Sequence, residues 1–403
     1  MDRRALIPTV LLMLGAQLVP GTGHANGAYD FRVQVGATSP GAAIQPFEYT
    51  RFYPDHLRVH RGQTVQFESL NFHTVAFRPG GQDGLLPVVR RDEGTDRFAL
   101  SETAWQRSPC GDPAQAACVL DGPDDELSSG IPVWDLTWRV QIDRPVGTTI
   151  TYLCMFHPGM SASIEVVGDA EALPSQESID AEVRTQVAVD TQEAIDHRAM
   201  LEAEAPHREE DGRTLWTVLV GAATPSGHVS ILGYMPSRLD GARPGDAVEF
   251  VSSGPAGHHS VTFPTVLVGD NEISPTNRLT LLAIHPACDF DDPAGGAPGI
   301  GGPYEPFTPL PCLGSLEFVL SPYLSEPHPA PSNLVVTPAT YHDSGLMWSE
   351  EAPENARGRP AGSGEYFPHR FVAEFPASGV FEYACTIHGA DFMSGTVEVG
   401  QED

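Results

Sequence analysis

Short alternating runs dominate the chain. Thr64-Val-Gln-Phe, Ile150-Thr-Tyr-Leu, Ser163-Ile-Glu-Val-Val and Thr396-Val-Glu-Val place apolar side chains at every second position, the period of a half-buried strand. Between such runs lie segments rich in glycine and proline, which number 40 and 37 and interrupt regular structure. One stretch has a different rhythm. Ser175 to Leu201 holds no glycine or proline, follows Pro174, and carries Ile179, Val183, Val187, Ile195 and Leu201 at roughly helical spacing. It predicts a single amphipathic helix with Ser175 as its N-cap. Met200 and His197 within it read as packing and surface residues.

The strand-like blocks occur twice, in the same order. Val33-Gln-Val-Gly-Ala-Thr-Ser-Pro40 recurs as Val218-Leu-Val-Gly-Ala-Ala-Thr-Pro225, and Gly62-Gln-Thr-Val-Gln-Phe67 as Gly245-Asp-Ala-Val-Glu-Phe250. Asn71-Phe-His-Thr-Val-Ala-Phe77 recurs as Gly257-His-His-Ser-Val-Thr-Phe263, Ser129-Gly130-Ile131 as Ser344-Gly345-Leu346, and Tyr152-Leu-Cys-Met-Phe-His157 as Tyr383-Ala-Cys-Thr-Ile-His388. A duplication follows, with one copy over 28–168, the other over 212–400, and a helical acidic linker over 169–211. Each copy is predicted to be a small antiparallel sandwich, so the fold class is all-β, two β-sandwiches joined by an α-helical linker.

Length and charge narrow the function classes. At 403 residues the chain exceeds one small domain. Its formal charge is −30, with no lysine and 23 arginines. Nucleic acid is excluded as a partner, because its phosphates would repel so acidic a surface. The charge reads as a solvated surface that also suits a partner with a basic docking face. Residues 1–25 read as a signal peptide: Arg3 and Arg4, an apolar run from Ala5 to Val19, then Gly23-His24-Ala25. No second hydrophobic span appears. The mature chain is therefore expected outside the cytoplasm, periplasmic or secreted, with no membrane span.

Each copy ends in a Cys-x-x-His followed by a methionine: Cys154, His157 and Met160, then Cys385, His388 and Met393. Each copy also has a histidine far upstream among strand-like residues, His73 and His259. A thiolate and two imidazoles in a plane, with a weak axial thioether, suit an ion that cycles between Cu(I) and Cu(II). Thiolate and thioether stabilise Cu(I), and imidazole accepts both states. His258 is the rival for the second site, but the repeat aligns His259 with His73.

On these motifs the chain resembles the plastocyanin/azurin family of cupredoxins, over nearly all of the mature sequence except the linker helix and two insertions. Cys154-Met-Phe-His-Pro-Gly-Met160 is similar to the short ligand loop of amicyanin-type members, and Cys385-Thr-Ile-His-Gly-Ala-Asp-Phe-Met393 to the longer loop of plastocyanin and pseudoazurin. The resemblance implies Greek-key sandwiches and two type 1 copper sites: His73, Cys154, His157 and Met160, and His259, Cys385, His388 and Met393. The chain departs from the family at Thr74 and Ser260, where members often carry the asparagine that braces the ligand loop. The separation from first histidine to cysteine, 81 residues in one copy and 126 in the other, also implies an insertion in each.

The four other cysteines fall two per insertion, Cys110 with Cys118 and Cys288 with Cys312, and predict one loop-stapling disulfide in each. The insertions themselves would cover the copper, shape a docking surface or pack the copies together. A metal reading of the cysteine pairs is weaker, with His285 near Cys288 its only hint; His56, His60, His328, His342 and His369 are scattered and read as surface residues. The implied function is electron transfer between redox partner proteins. Copper delivery without electron traffic is the alternative, and a two-domain multicopper oxidase or nitrite reductase a more distant one. Leu153 and Met155, and Ala384 and Thr386, stand beside the cysteines where the copper enzymes typically place a histidine. No His-x-His pairs for a three-copper cluster occur. The chain is therefore expected not to be an enzyme.

Overall fold

The computed structural model describes residues 29–38, 46–69, 73–78, 89–91, 98–100, 108, 110, 117–130, 136–155, 157, 159–203, 206–210, 212–254, 259–263, 317–318, 334–335, 342–344, 347, 369–385 and 393–401. They are mostly β-strand, in several sheets, with one helix, Gln176–Glu202. No helix among them is long and apolar enough to cross a membrane. The expected signal peptide and the Cys288–Cys312 pair lie outside the described residues.

The alternating runs become strands. The first-copy residues build two five-stranded sheets. One runs in the order Phe52–Tyr53, Phe31–Val35, Thr64–Ser69, Leu136–Ile142, Cys118–Leu120; the other runs Leu127–Ser128, Ala76–Phe77, Thr149–Leu153, Ser161–Val167, His56–His60. Phe31–Val35 lies parallel to Thr64–Ser69, and His56–His60 parallel to Ser161–Val167. The strands of each parallel pair are thus joined by crossovers rather than hairpins. Thr64–Ser69 departs from strict alternation because Gln66 is also buried. Its side-chain oxygen accepts from Nε of Arg139 at 2.7 Å, which satisfies the amide away from water.

The two sheets meet through aromatic rings. Phe67 lies 5.9 Å from Phe77 and 5.2 Å from Tyr152, and Phe77 lies 5.4 Å from Tyr152. The second copy repeats the triangle: Phe250 is 6.0 Å from Phe263 and 5.0 Å from Tyr383, and Phe263 is 5.1 Å from Tyr383. All six rings are buried, and each contributes about 1.5–3 kcal/mol by leaving water. The second copy's sheets pair Arg213–Ala223 parallel to Ala247–Ser252, and Arg238–Ala242 parallel to Ser394–Val399, as in the first.

Two features cross the copies. Strand Phe47–Tyr49, from the first copy, pairs antiparallel with Val229–Met235 and so belongs to the second copy's sheet. The core around Val33, Tyr53 and Ile164 then continues without a break into Val229, Ile231 and Met235. In addition, Glu317–Phe318 pairs with Phe98–Leu100, so the two insertions share a small sheet.

The helix begins at Ser175, whose hydroxyl accepts from the Ser178 amide, as its N-cap position predicts. Ile179, Val183 and Val187 are buried, but Ile195 and Met200 are exposed. Beyond Val187 the buried face is instead Asp190, Thr191 and Ala194.

Candidate metal centre

His73 sits just before strand Ala76–Phe77, in a backbone pinned by Ser129. The Val75 amide donates to the Ser129 hydroxyl at 2.9 Å, and the Ser129 amide donates to the Val75 carbonyl at 2.9 Å. Cys154 follows strand Thr149–Leu153 directly. Its amide donates to the Met160 carbonyl at 2.9 Å, and the Met160 amide donates to the His157 carbonyl at 3.0 Å. The turn is thereby closed, and the chain enters strand Ser161–Val167. These bonds hold Cys154, His157 and Met160 in one tight loop facing His73.

The donor atoms converge. Nδ1 of His73 and Nδ1 of His157 lie 2.9 Å apart, and Sγ of Cys154 is 3.4 Å from the latter and 4.0 Å from the former. Among the described residues this is the one group of histidine, cysteine and acidic side chains close enough to hold a metal. All three are buried. Metal bonds to nitrogen and sulfur of about 2.0–2.3 Å would leave donors roughly 3–4 Å apart, so the cluster fits a single ion. Met160 is also buried, at the end of the loop. The donor chemistry, one thiol and two imidazoles, matches copper.

The surroundings prepare the thiolate. Burial opposes ionisation of Cys154, but the His157 and His73 rings outweigh it and hold the thiol well below its ordinary range. Burial likewise opposes charge on His157, yet the Glu48 carboxylate and the Cys154 sulfur push it up to about 10. Glu48 Oε1 lies 3.2 Å from His157 Nε2. Both Nδ1 atoms thus face the sulfur while Nε2 of His157 faces a carboxylate, which orients the ring.

Thr74 takes the place of the missing asparagine. Its hydroxyl oxygen accepts from the Met155 amide at 2.8 Å, and its own amide points at Cys154 Sγ at 3.4 Å. The loop is braced, by a different residue type from the one the family resemblance suggested.

The second-copy residues repeat several of these contacts where they are described. The Ser260 amide donates toward Cys385 Sγ at 3.4 Å, and the Cys385 amide donates to the Met393 carbonyl at 3.0 Å. The Val261 amide donates to the Ser344 hydroxyl at 2.8 Å, the counterpart of Val75 and Ser129. His259, Cys385 and Met393 are all buried. His388 and the rival His258 lie outside the described residues.

Three contributors went unread in the sequence. A Cβ on Gly36 would fall 2.6 Å from Nε2 of His73, and one on Gly221 would collide with Nε2 of His259. Both glycines have positive φ, 70° and 71°, a region other residues rarely enter. Their signal was present, since both stand in the same repeated block, Val33 to Pro40 and Val218 to Pro225. Glu48 carried no signal, because it lies between the repeated blocks. Cys110 and Cys118 form a disulfide, as their spacing predicts. Cys154 and Cys385 are free and buried.

No protein-family model matches the chain, and no curated protein does. Similar solved structures include oxidised plastocyanin from Dryopteris crassirhizoma, 16% identical over 46% of this chain and 99% of that one, TM-score 0.19. Reduced auracyanin from Roseiflexus castenholzii is 18% identical over 35% and 100%, TM-score 0.20. A copper-containing nitrite reductase from Thermus scotoductus is 13% identical over 93% and 69%, TM-score 0.19. Multicopper oxidases also match. Scores this low assign neither family nor activity. They do correct one expectation: with a nitrite reductase and oxidases among the similar structures, the reading that the chain is no enzyme is given up.

Proposed function

We propose that this is an exported copper protein that takes up and releases single electrons at type 1 sites, one in each of two tandem sandwich domains. The convergence of Cys154 Sγ with the two Nδ1 atoms of His73 and His157 carries this reading. Met160 supplies the weak axial donor at the first site. His259, Cys385, His388 and Met393 make up the second. Copper bound by a thiolate and imidazoles shuttles between two oxidation states. The chain's part is to hold donors that suit both states in a rigid, buried cage, so that little moves when an electron arrives. Two bonds supply that rigidity: the Cys154 amide donates to the Met160 carbonyl and the Met155 amide to the Thr74 hydroxyl oxygen. The reading holds whether the electron's destination is a partner protein or a substrate.

Metal analysis and visible spectroscopy of the purified exported form test it. About two coppers per chain and an intense thiolate-to-copper band near ~600 nm are expected. Cys154→Ser and Cys385→Ser should each remove about half of the colour. A colourless protein that takes up no copper would overturn the proposal.

A further inference from the structure

The proposed first site is closed to solvent on the side where its loop histidine would otherwise emerge. The His157 side chain is 7% exposed, and its outer nitrogen meets Glu48 rather than water. Glu48 sits in strand Phe47–Tyr49, whose register with the second copy's sheet is Glu48 opposite Ser230 and Phe47 opposite Ile231. Ser230 in turn lies opposite Ala223, and Ile231 opposite Ala222. Gly221, next along that strand, packs against the His259 ring so closely that a Cβ would collide with its Nε2.

We infer that strand Phe47–Tyr49 wires the two copper sites together, with Glu48 as the contact on the first and Gly221 as the contact on the second. This rests on the copper reading above. The route runs from His157 across one charge-assisted hydrogen bond to Glu48, across the first ladder to Ser230 and along the backbone to Ile231, then across the second ladder to Ala222 and along the backbone to Gly221 and His259. The two ladders span only about 10 Å, two strand spacings. Every step from His157 to Gly221 is a covalent or hydrogen bond, and Gly221 meets His259 by direct packing. One electron crosses: one centre goes from Cu(I) to Cu(II) as the other goes from Cu(II) to Cu(I), with no bond made or broken and no proton moved.

The same contact acts on the potential. A carboxylate on Nε2 of a ligand histidine strengthens the imidazole as a donor, and its negative charge favours the more positive ion. Glu48 therefore lowers the first site's potential, an effect that its removal should reverse.

The test uses the full-length, copper-loaded protein. Cys154→Ser and Cys385→Ser supply the spectrum and potential of each site alone. After pulse reduction, the wild type should show a re-equilibration phase whose rate does not depend on protein concentration, and both single-site variants should lack it. Glu48→Ala should slow that phase several-fold and raise the first site's potential. Glu48→Gln, which keeps a hydrogen-bond acceptor without the charge, should keep most of the rate but still raise the potential. In the metal-free protein, the His157 Nε2 proton should give a protected NMR signal that Glu48→Ala abolishes, a check on the contact that needs no copper. Two outcomes would overturn the conduit: a wild type with both coppers bound and reducible but no concentration-independent phase, or a Glu48→Ala rate unchanged once the shift in driving force is allowed for. A chain that fails to bind copper at either site is a different result, since it sinks the copper reading itself.

Discussion

Thr74 shows how one residue's chemistry bears on the site. Its hydroxyl oxygen accepts from the Met155 amide inside a fully buried environment. Thr74→Val keeps the shape but leaves that amide without an acceptor. A loss of about 1–3 kcal/mol is expected, read as a lower urea midpoint with an unchanged slope. Gly36 is the opposite case, since what matters there is an absent atom. Gly36→Ala would force a side chain into positive φ and onto the His73 ring. It should shift the visible band and weaken copper binding, measured by competition with a chelator. The cluster of His73, Cys154 and His157 was legible in the sequence because thiol and imidazole are chemically distinctive and recur at matched spacing. Thr74's bracing role was not, because it depends on which amide its hydroxyl meets after folding.

The helix Gln176–Glu202 is more than a spacer between the copies. Asp190 is buried and accepts from Tyr53 Oη at 2.7 Å, lies 3.1 Å from Nδ1 of His228, and pairs with Arg51 at 3.3 Å. Tyr49 Oη and Thr191 Oγ1 are 2.7 Å apart. Near its end, Glu202 accepts from the Ser237 amide at 2.8 Å. The helix thereby bolts first-copy residues to second-copy ones. Burial works to raise the Asp190 pKa, but His228, Tyr53 and Arg51 outweigh it and hold the carboxyl below its ordinary range. A depressed folded-state pKa stabilises above the unfolded value of about 3.9, and that contribution fades as the pH falls through the lower folded value. Asp190→Asn should therefore lower stability at neutral pH and flatten the acid limb of a stability-against-pH curve from about pH 4 downward. Asp190→Ala should cost about 3 kcal/mol by stripping a buried network of its anion, measured by denaturant unfolding. The helix itself was readable from its cap and spacing. Its buried Asp190 was not, because an acidic residue reads as a surface one until its partners are known.

Across the whole molecule, the shared core and the strand exchanged between sheets make the copies interdependent. Urea unfolding followed through the colour of Cys385→Ser and through that of Cys154→Ser should give coincident transitions, as one cooperative unit requires; well-separated midpoints would show two independent bodies. The charge of −30 acts at longer range. Electron exchange with a cationic redox partner should slow steeply as ionic strength rises, because salt screens the attraction within about 10 Å at ~0.1 M.

Periodicity, repeated blocks and cysteine spacing were enough to determine the β class, the recurrence of its strands, the helix and the Cys110–Cys118 bridge. These depend on local period and on residue chemistry, both written linearly along the chain. Tertiary structure alone decided that Phe47–Tyr49 joins the other copy's sheet, that Glu48 closes over His157, that Asp190 is a buried anchor and that the two insertions pair. Each depends on which surfaces meet across long sequence separations. The hydrogen bonds of strand pairing are made by backbone groups that every residue carries, and the side-chain complementarity that selects a partner appears only when distant strands are brought side by side.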